Sequence, residues 1–134
     1  MSIDDASMSP SRNLSIALVE AIRRVRLRIR WRRGKDVQHL VKRIRIGHLA
    51  PGTTIAQYES IITSIINDNR AKVYVFQYND TIYPTLVSII QEQVWLVIIA
   101  LDGTMETAFP PSDPDTYLSD PAYLYVAVLG ELMQ

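Results

Sequence analysis

Val94–Leu101, VWLVIIAL, runs directly into Asp102-Gly103 and then Thr104–Phe109, TMETAF. An unbroken apolar run of this length is too short for a buried helix. It reads as a central strand covered on both faces. Asp-Gly is the strongest two-residue hairpin signal, so residues 104–109 return antiparallel and stop at Pro110-Pro111. Working upstream, the polar Gln91–Gln93 links this strand to Thr81–Ile90, where Pro84 implies an edge position or a bulge. Asn79-Asp80 supplies a tight turn back to Lys72–Tyr78. Together these make a four-stranded antiparallel meander.

The preceding residues have helical periodicity. Leu14, Ala17, Leu18, Ala21 and Ile22 share one face, which Val25 extends. From Val25 to Trp31 apolar residues alternate with Arg24–Arg32, a strand pattern. Arginine is also a good helix former, and the favoured reading carries the helix on to Arg33, before Gly34. Asp36 caps a helix over Val37–Ile46, with Val37, Leu40, Val41 and Ile44 on one side and His39, Lys42 and Arg43 beside them. Thr54 and Gln57 have capping-box spacing ahead of a helix at Ile55–Asp68. Downstream, Asp120 and Pro121 predict a final short helix reaching about Leu132. The fold class is therefore α+β: N-terminal helices packed on one face of the four-stranded antiparallel β-meander, with a short C-terminal helix. Residues 1–12 read as a flexible N-terminus and 13–134 as a single domain.

The formal net charge is zero, but the charges are segregated. Arg23, Arg24, Arg26, Arg28, Arg30, Arg32, Arg33, Lys35, Lys42, Arg43 and Arg45 crowd the first half, and no lysine or arginine follows Lys72. Such a distribution produces a strong local field whatever the sum. The arginine run has several readings: it tracks a polyanion, it docks an acidic partner, or it is a solvated face balanced by the acidic half. Its apolar face is too interrupted for membrane binding. With no cysteine in the chain, disulfides and thiolate metal sites are excluded. No segment has the length of a membrane span, and the first residues lack a secretory layout, so a cytoplasmic location is expected. Asp113 and Asp115 lack further ligands for a metal, and no cofactor is expected.

The helix HLVKRI (His39–Ile44), the GTTIAQY start of the next helix and the strand ending TAFPP (Thr107–Pro111) resemble the small metal-independent ribonuclease toxins of the barnase, EndoU, colicin and RelE-like fold group. The likeness covers roughly residues 36–111. It implies a cleft in which a histidine and basic residues of the helical region face polar residues on the sheet. Carried onto this chain, it assigns His39, Arg43 and Thr107 to catalysis and Lys42 to phosphate binding. Arg45, Arg26, Arg28, Arg30 and Tyr83 extend the expected RNA contacts. Cleavage without metal proceeds by attack of the 2′-hydroxyl on its own phosphorus. Histidine suits that proton transfer and arginine the phosphorane charge. The sheet carries no His, Lys or Arg after Lys72, so a second proton carrier would be His48, Tyr83 or Glu106. The resemblance implies RNA as partner, with tRNA and mRNA both in range, and an acidic antitoxin or immunity protein. The competing expectation is a non-catalytic interaction or nucleic-acid-binding protein that uses the basic region Arg23–Arg45 on the same scaffold.

Overall fold

The computed structural model describes residues 3–134, with side chains from Arg12 onward; the flexible segment expected over residues 1–12 lies almost wholly outside the described side chains. Three helices, α1 (Ile3–Leu27), α2 (Lys35–Ile46) and α3 (Ile55–Ile66), precede the meander β1 (Lys72–Tyr78), β2 (Thr81–Ile90), β3 (Gln93–Ile99) and β4 (Met105–Phe109). A short α4 (Pro114–Leu118), a strand β5 (Tyr123–Val128) and a short α5 (Leu129–Leu132) complete the chain. The architecture is α+β, and the sheet has five strands in the order β4-β3-β2-β1-β5, all antiparallel.

The fifth strand corrects the expected four-stranded sheet and shortens the expected C-terminal helix to Leu129–Leu132. Asp120 and Pro121 make a tight turn, with the Tyr123 amide donating to the Asp120 carbonyl and the Ala122 amide to the Asp120 carboxylate. Leaving that turn extended lets residues 123–128 satisfy the open backbone edge of β1. It also stacks Tyr123 on Phe76 at 4.7 Å between ring centroids. A helix here would forgo both, and YLYVAV is rich in strand-forming side chains.

The two readings of residues 25–31 each hold for half of the stretch. Helix α1 ends at Leu27, not Arg33. Beyond it Ile29 and Trp31 turn onto the core while Arg28, Arg30 and Arg32 remain exposed, the alternation of an extended chain. Trp31 bridges Met105 in parallel, and the Met105 amide donates to the Arg30 carbonyl at 2.8 Å, which covers the outer edge of β4. Helix α2 is bracketed by Gly34 and Gly47, both left-handed. Gly34, not Asp36, is its N-cap. The Thr54–Gln57 capping box forms as expected.

One sheet face packs on α1 and α3. Ala21, Ile22 and Val25 meet Tyr58, Ile62 and Ile65 over Val73, Leu86, Val97 and Ile99, all fully buried. Each buried Val, Leu or Ile side chain contributes about 1.5–3 kcal/mol. β3 is buried on both sides, as expected from its unbroken apolar run, although β2 occupies the centre. Pro84 lies where β2 extends past β3 and pairs only with β1, so its missing amide falls at a local edge. The opposite face carries no long helix. A strap of residues 110–122 crosses it and seats Leu118 on a small cluster of Val87, Leu96 and Tyr123. Open surface remains on either side of that strap.

Candidate functional site

Helix α2 lies against β4, anchored by buried Leu40. This seats His39 and Arg43, one turn apart on α2, at the sheet margin, where they reach toward the strapped face. His39 Nδ1 lies 3.3 Å from Thr107 Oγ1, across a sequence separation of 68 residues. The Trp31 ring packs beside the imidazole at 5.9 Å. Phe76 and Tyr83 are opposite each other in the β1–β2 register and extend the wall across the strapped face. His39, Thr107, Tyr83 and Phe76 thus line one open groove of about 370 Å³, with Lys35, Arg32 and Glu106 at its rim. Arg32 and Glu106 pair at 2.9 Å.

Burial holds the His39 pKa below the ordinary histidine value, and the positive charges of Arg43, Lys35 and Lys42 lower it further. The imidazole is therefore neutral at pH 7 and suited to accept a proton. The Thr107 hydroxyl can accept from Nδ1–H or donate to a bare Nδ1; the first arrangement leaves the free lone pair on Nε2.

Arg43 is placed differently from a groove cation. It is only 4 % exposed, and no carboxylate partners it among the described residues. Its Nη1 donates to His48 Nδ1 at 3.1 Å, its Cζ sits 5.4 Å from the Phe109 ring centroid, and its Nε has no partner. Because a guanidinium only donates, His48 Nδ1 must accept, which makes the His48 ring neutral with its proton on Nε2. Burial and the Arg43 charge both hold the His48 pKa down. Tyr58 stands next to this pair. Burial pushes its phenol up to about 12, and its hydroxyl donates to the Ala108 carbonyl at 2.6 Å.

No protein-family model, curated protein or solved structure matches this chain.

Of the residues nominated from sequence, the fold brings His39, Thr107 and Tyr83 into one groove, with Glu106 beside them. Buried Arg43 and half-buried His48 form a pair behind it. Lys42 and Arg45 are exposed on α2. Arg26, Arg28 and Arg30 lie elsewhere: Arg26 Nε braces α1 to α3 through the Ile66 carbonyl at 2.7 Å, and Arg30 reaches the Asp102 carbonyl at 3.0 Å. Sequence reading missed Trp31, Lys35 and Phe76 as groove neighbours, and counted Tyr78 only among seven tyrosines able to stack on bases or pack a core or cleft wall. Lys35 had a usable signal, since it starts α2 one turn before His39. The aromatic residues had none, because a strand tyrosine or phenylalanine looks the same facing a core or a groove. No group of three or more His, Cys, Asp or Glu among the described residues could hold a metal ion.

Proposed function

We propose that this chain is a metal-independent endoribonuclease of the toxin type, acting by 2′-hydroxyl transesterification. The observation that carries the proposal is a neutral imidazole, oriented by Thr107, on the wall of an open groove with aromatic sides and cations at its rim. Single-stranded RNA bases stack on aromatic rings, and Phe76, Tyr78 and Tyr83 offer such faces. Lys35 carries positive charge where a phosphate would lie, and Lys42 and Arg45 extend it along α2. In the reaction His39 Nε2 takes the 2′-hydroxyl proton as that oxygen bonds to phosphorus. The phosphorus–O5′ bond breaks, O5′ takes up a proton, and the products are a 2′,3′-cyclic phosphate and a 5′-hydroxyl. Tyr83 or Glu106 serves as proton donor; the Glu106 carboxyl is already held by Arg32 at 2.9 Å, which favours Tyr83. Arg43 stands behind the wall and acts on His39 through its charge.

The test is incubation with total RNA in the presence of a chelator. Wild type is expected to cleave, leaving cyclic phosphate ends, and His39→Ala to lose about 10²–10⁴ in rate. Thr107→Val should lose less, because it removes only the contact that orients the imidazole. Intact RNA with folded wild-type protein would refute the nuclease.

A second reading is favoured by one observation: Arg43, the cation expected on the phosphorane, is enclosed by Phe109 and His48. On that reading the groove binds RNA without cutting it, and retention that falls with salt, without cleavage, is the result that selects it. An acidic antitoxin would then mask the same rim by placing carboxylates on Lys35 and Lys42.

A further inference from the structure

The strap of residues 110–122 leaves a second and larger opening at the other end of the same sheet face. This cavity measures about 610 Å³, inside the roughly 300–1,000 Å³ range of small-ligand sites. Its walls are Val87, Val94 and Leu118, with the Tyr74 ring among them. Tyr74 is half-buried and held edge-on by Tyr125 at 5.4 Å. The polar margin has both signs. Arg70 comes from the turn before β1 and Lys72 from its first position, and neither forms a salt bridge among the described residues. Asp68 is already engaged by the Ser88 hydroxyl and the Arg70 amide, which leaves Asp115 of α4 as the free acceptor.

A purely anionic apolar molecule would meet Asp115 and Asp68 as well as the two cations, and a cationic one would meet Lys72 and Arg70. A ligand with a flat apolar body, an anion at one end and N–H donors at the other satisfies every group. We propose that this cavity is a nucleotide site, with the base packed against Tyr74 between Val87 and Leu118. The phosphate lies at Lys72 and Arg70, and Asp115 accepts from an exocyclic amine. Bases bearing an amino group are then preferred over uracil. A free nucleotide and one nucleotide of an RNA strand share this chemistry; only the second source rests on the RNA reading given above.

Calorimetric titration of the whole chain with AMP, CMP, UMP, adenosine, inorganic phosphate and a short oligoadenylate tests the proposal. AMP is expected to bind about tenfold or more tightly than adenosine, as a charge-assisted contact to phosphate implies, and more tightly than UMP. Lys72→Glu, at an exposed position, should erase the advantage of AMP over adenosine. Leu118→Trp should fill the cavity and abolish binding; circular dichroism and the thermal midpoint establish that this variant is folded. If it is not, Lys72→Glu carries the test alone. An oligonucleotide that binds more than tenfold tighter than AMP, by a margin that Lys72→Glu removes, identifies a strand in this cavity as the source. Equal affinity, or a margin that Lys72→Glu leaves intact, identifies the free nucleotide here and places the strand in the His39 groove. No heat with AMP at millimolar concentrations, or AMP and adenosine binding alike, would overturn the site. Because no readout uses cleavage, this result and that for the His39 groove fail or hold separately.

Discussion

Arg43 is the residue whose position most needs a physical account. A buried charge without an opposite charge costs several kcal/mol, and replacing it with an apolar side chain of similar size is often neutral or stabilising. Arg43→Met is therefore expected to unfold at an equal or higher urea concentration than wild type. His48→Ala strands the guanidinium without its one side-chain partner and should cost about 1–3 kcal/mol in the same measurement. Both histidines have folded-state pKa values held below 6.5. Below that value the unfolded chain binds more protons than the folded one, so their contribution, full above it, is lost as pH falls toward the folded values. The thermal midpoint should drop on going from pH 7 to pH 5, and His48→Gln should flatten that slope. Helical spacing in the sequence placed His39 beside Arg43. It could not separate an imidazole facing a groove from a guanidinium sealed behind it, because that depends on Phe109 and the loop after Gly47. Thr107 came into view only through the ribonuclease likeness, since no local pattern links residues so far apart in the chain.

At the level of elements, the turns divide according to whether their chemistry is written in the chain. Asn79-Asp80 has positive φ at both residues, the geometry its composition predicts. Gln91-Glu92 makes the same kind of turn at φ 50 and 67 without residues suited to it. Replacing the pair with Asn-Gly should raise stability by about 1 kcal/mol, measured by denaturant titration. Gly103 closes the β3–β4 hairpin at φ +88, and an added Cβ there would lie 2.6 Å from the Arg24 Cβ of α1. Gly52 has φ +87 and open space around it. Alanine at Gly52 should cost about 1–2 kcal/mol for left-handed backbone, and alanine at Gly103 clearly more, because α1 must move. The hairpin was legible from Asp102-Gly103; its closeness to α1 was not. The fifth strand was hidden for a related reason. Asp120-Pro121 is a sound helix start locally, and what overrides it is the unpaired edge of β1, some fifty residues earlier in the chain.

Across the whole molecule, the charge segregation seen in the sequence becomes spatial. Arg28, Arg33, Lys42 and Arg45 are exposed on the helical side and form no salt bridge among the described residues, so the neutral total is not reached by pairing them. RNA retention should therefore weaken steeply with salt. Lys42→Ala and Arg45→Ala should each reduce the slope of log affinity against log salt by about 0.7 if they meet single-strand phosphates. The order of elements and the class of fold were readable throughout, because hydrophobic period and turn chemistry act over a few residues. The strapped face was not, because it arises from where a proline-rich segment crosses a sheet. The two tryptophans belong to the same core cluster but differ in exposure. Trp95 is sealed in the core at 2 % exposure, while Trp31 is half-buried beside the His39 ring. Their emission therefore reports on two different things. A protonated imidazole quenches a neighbouring indole, so Trp31 carries an optical record of whether His39 holds its proton, against the constant background of Trp95.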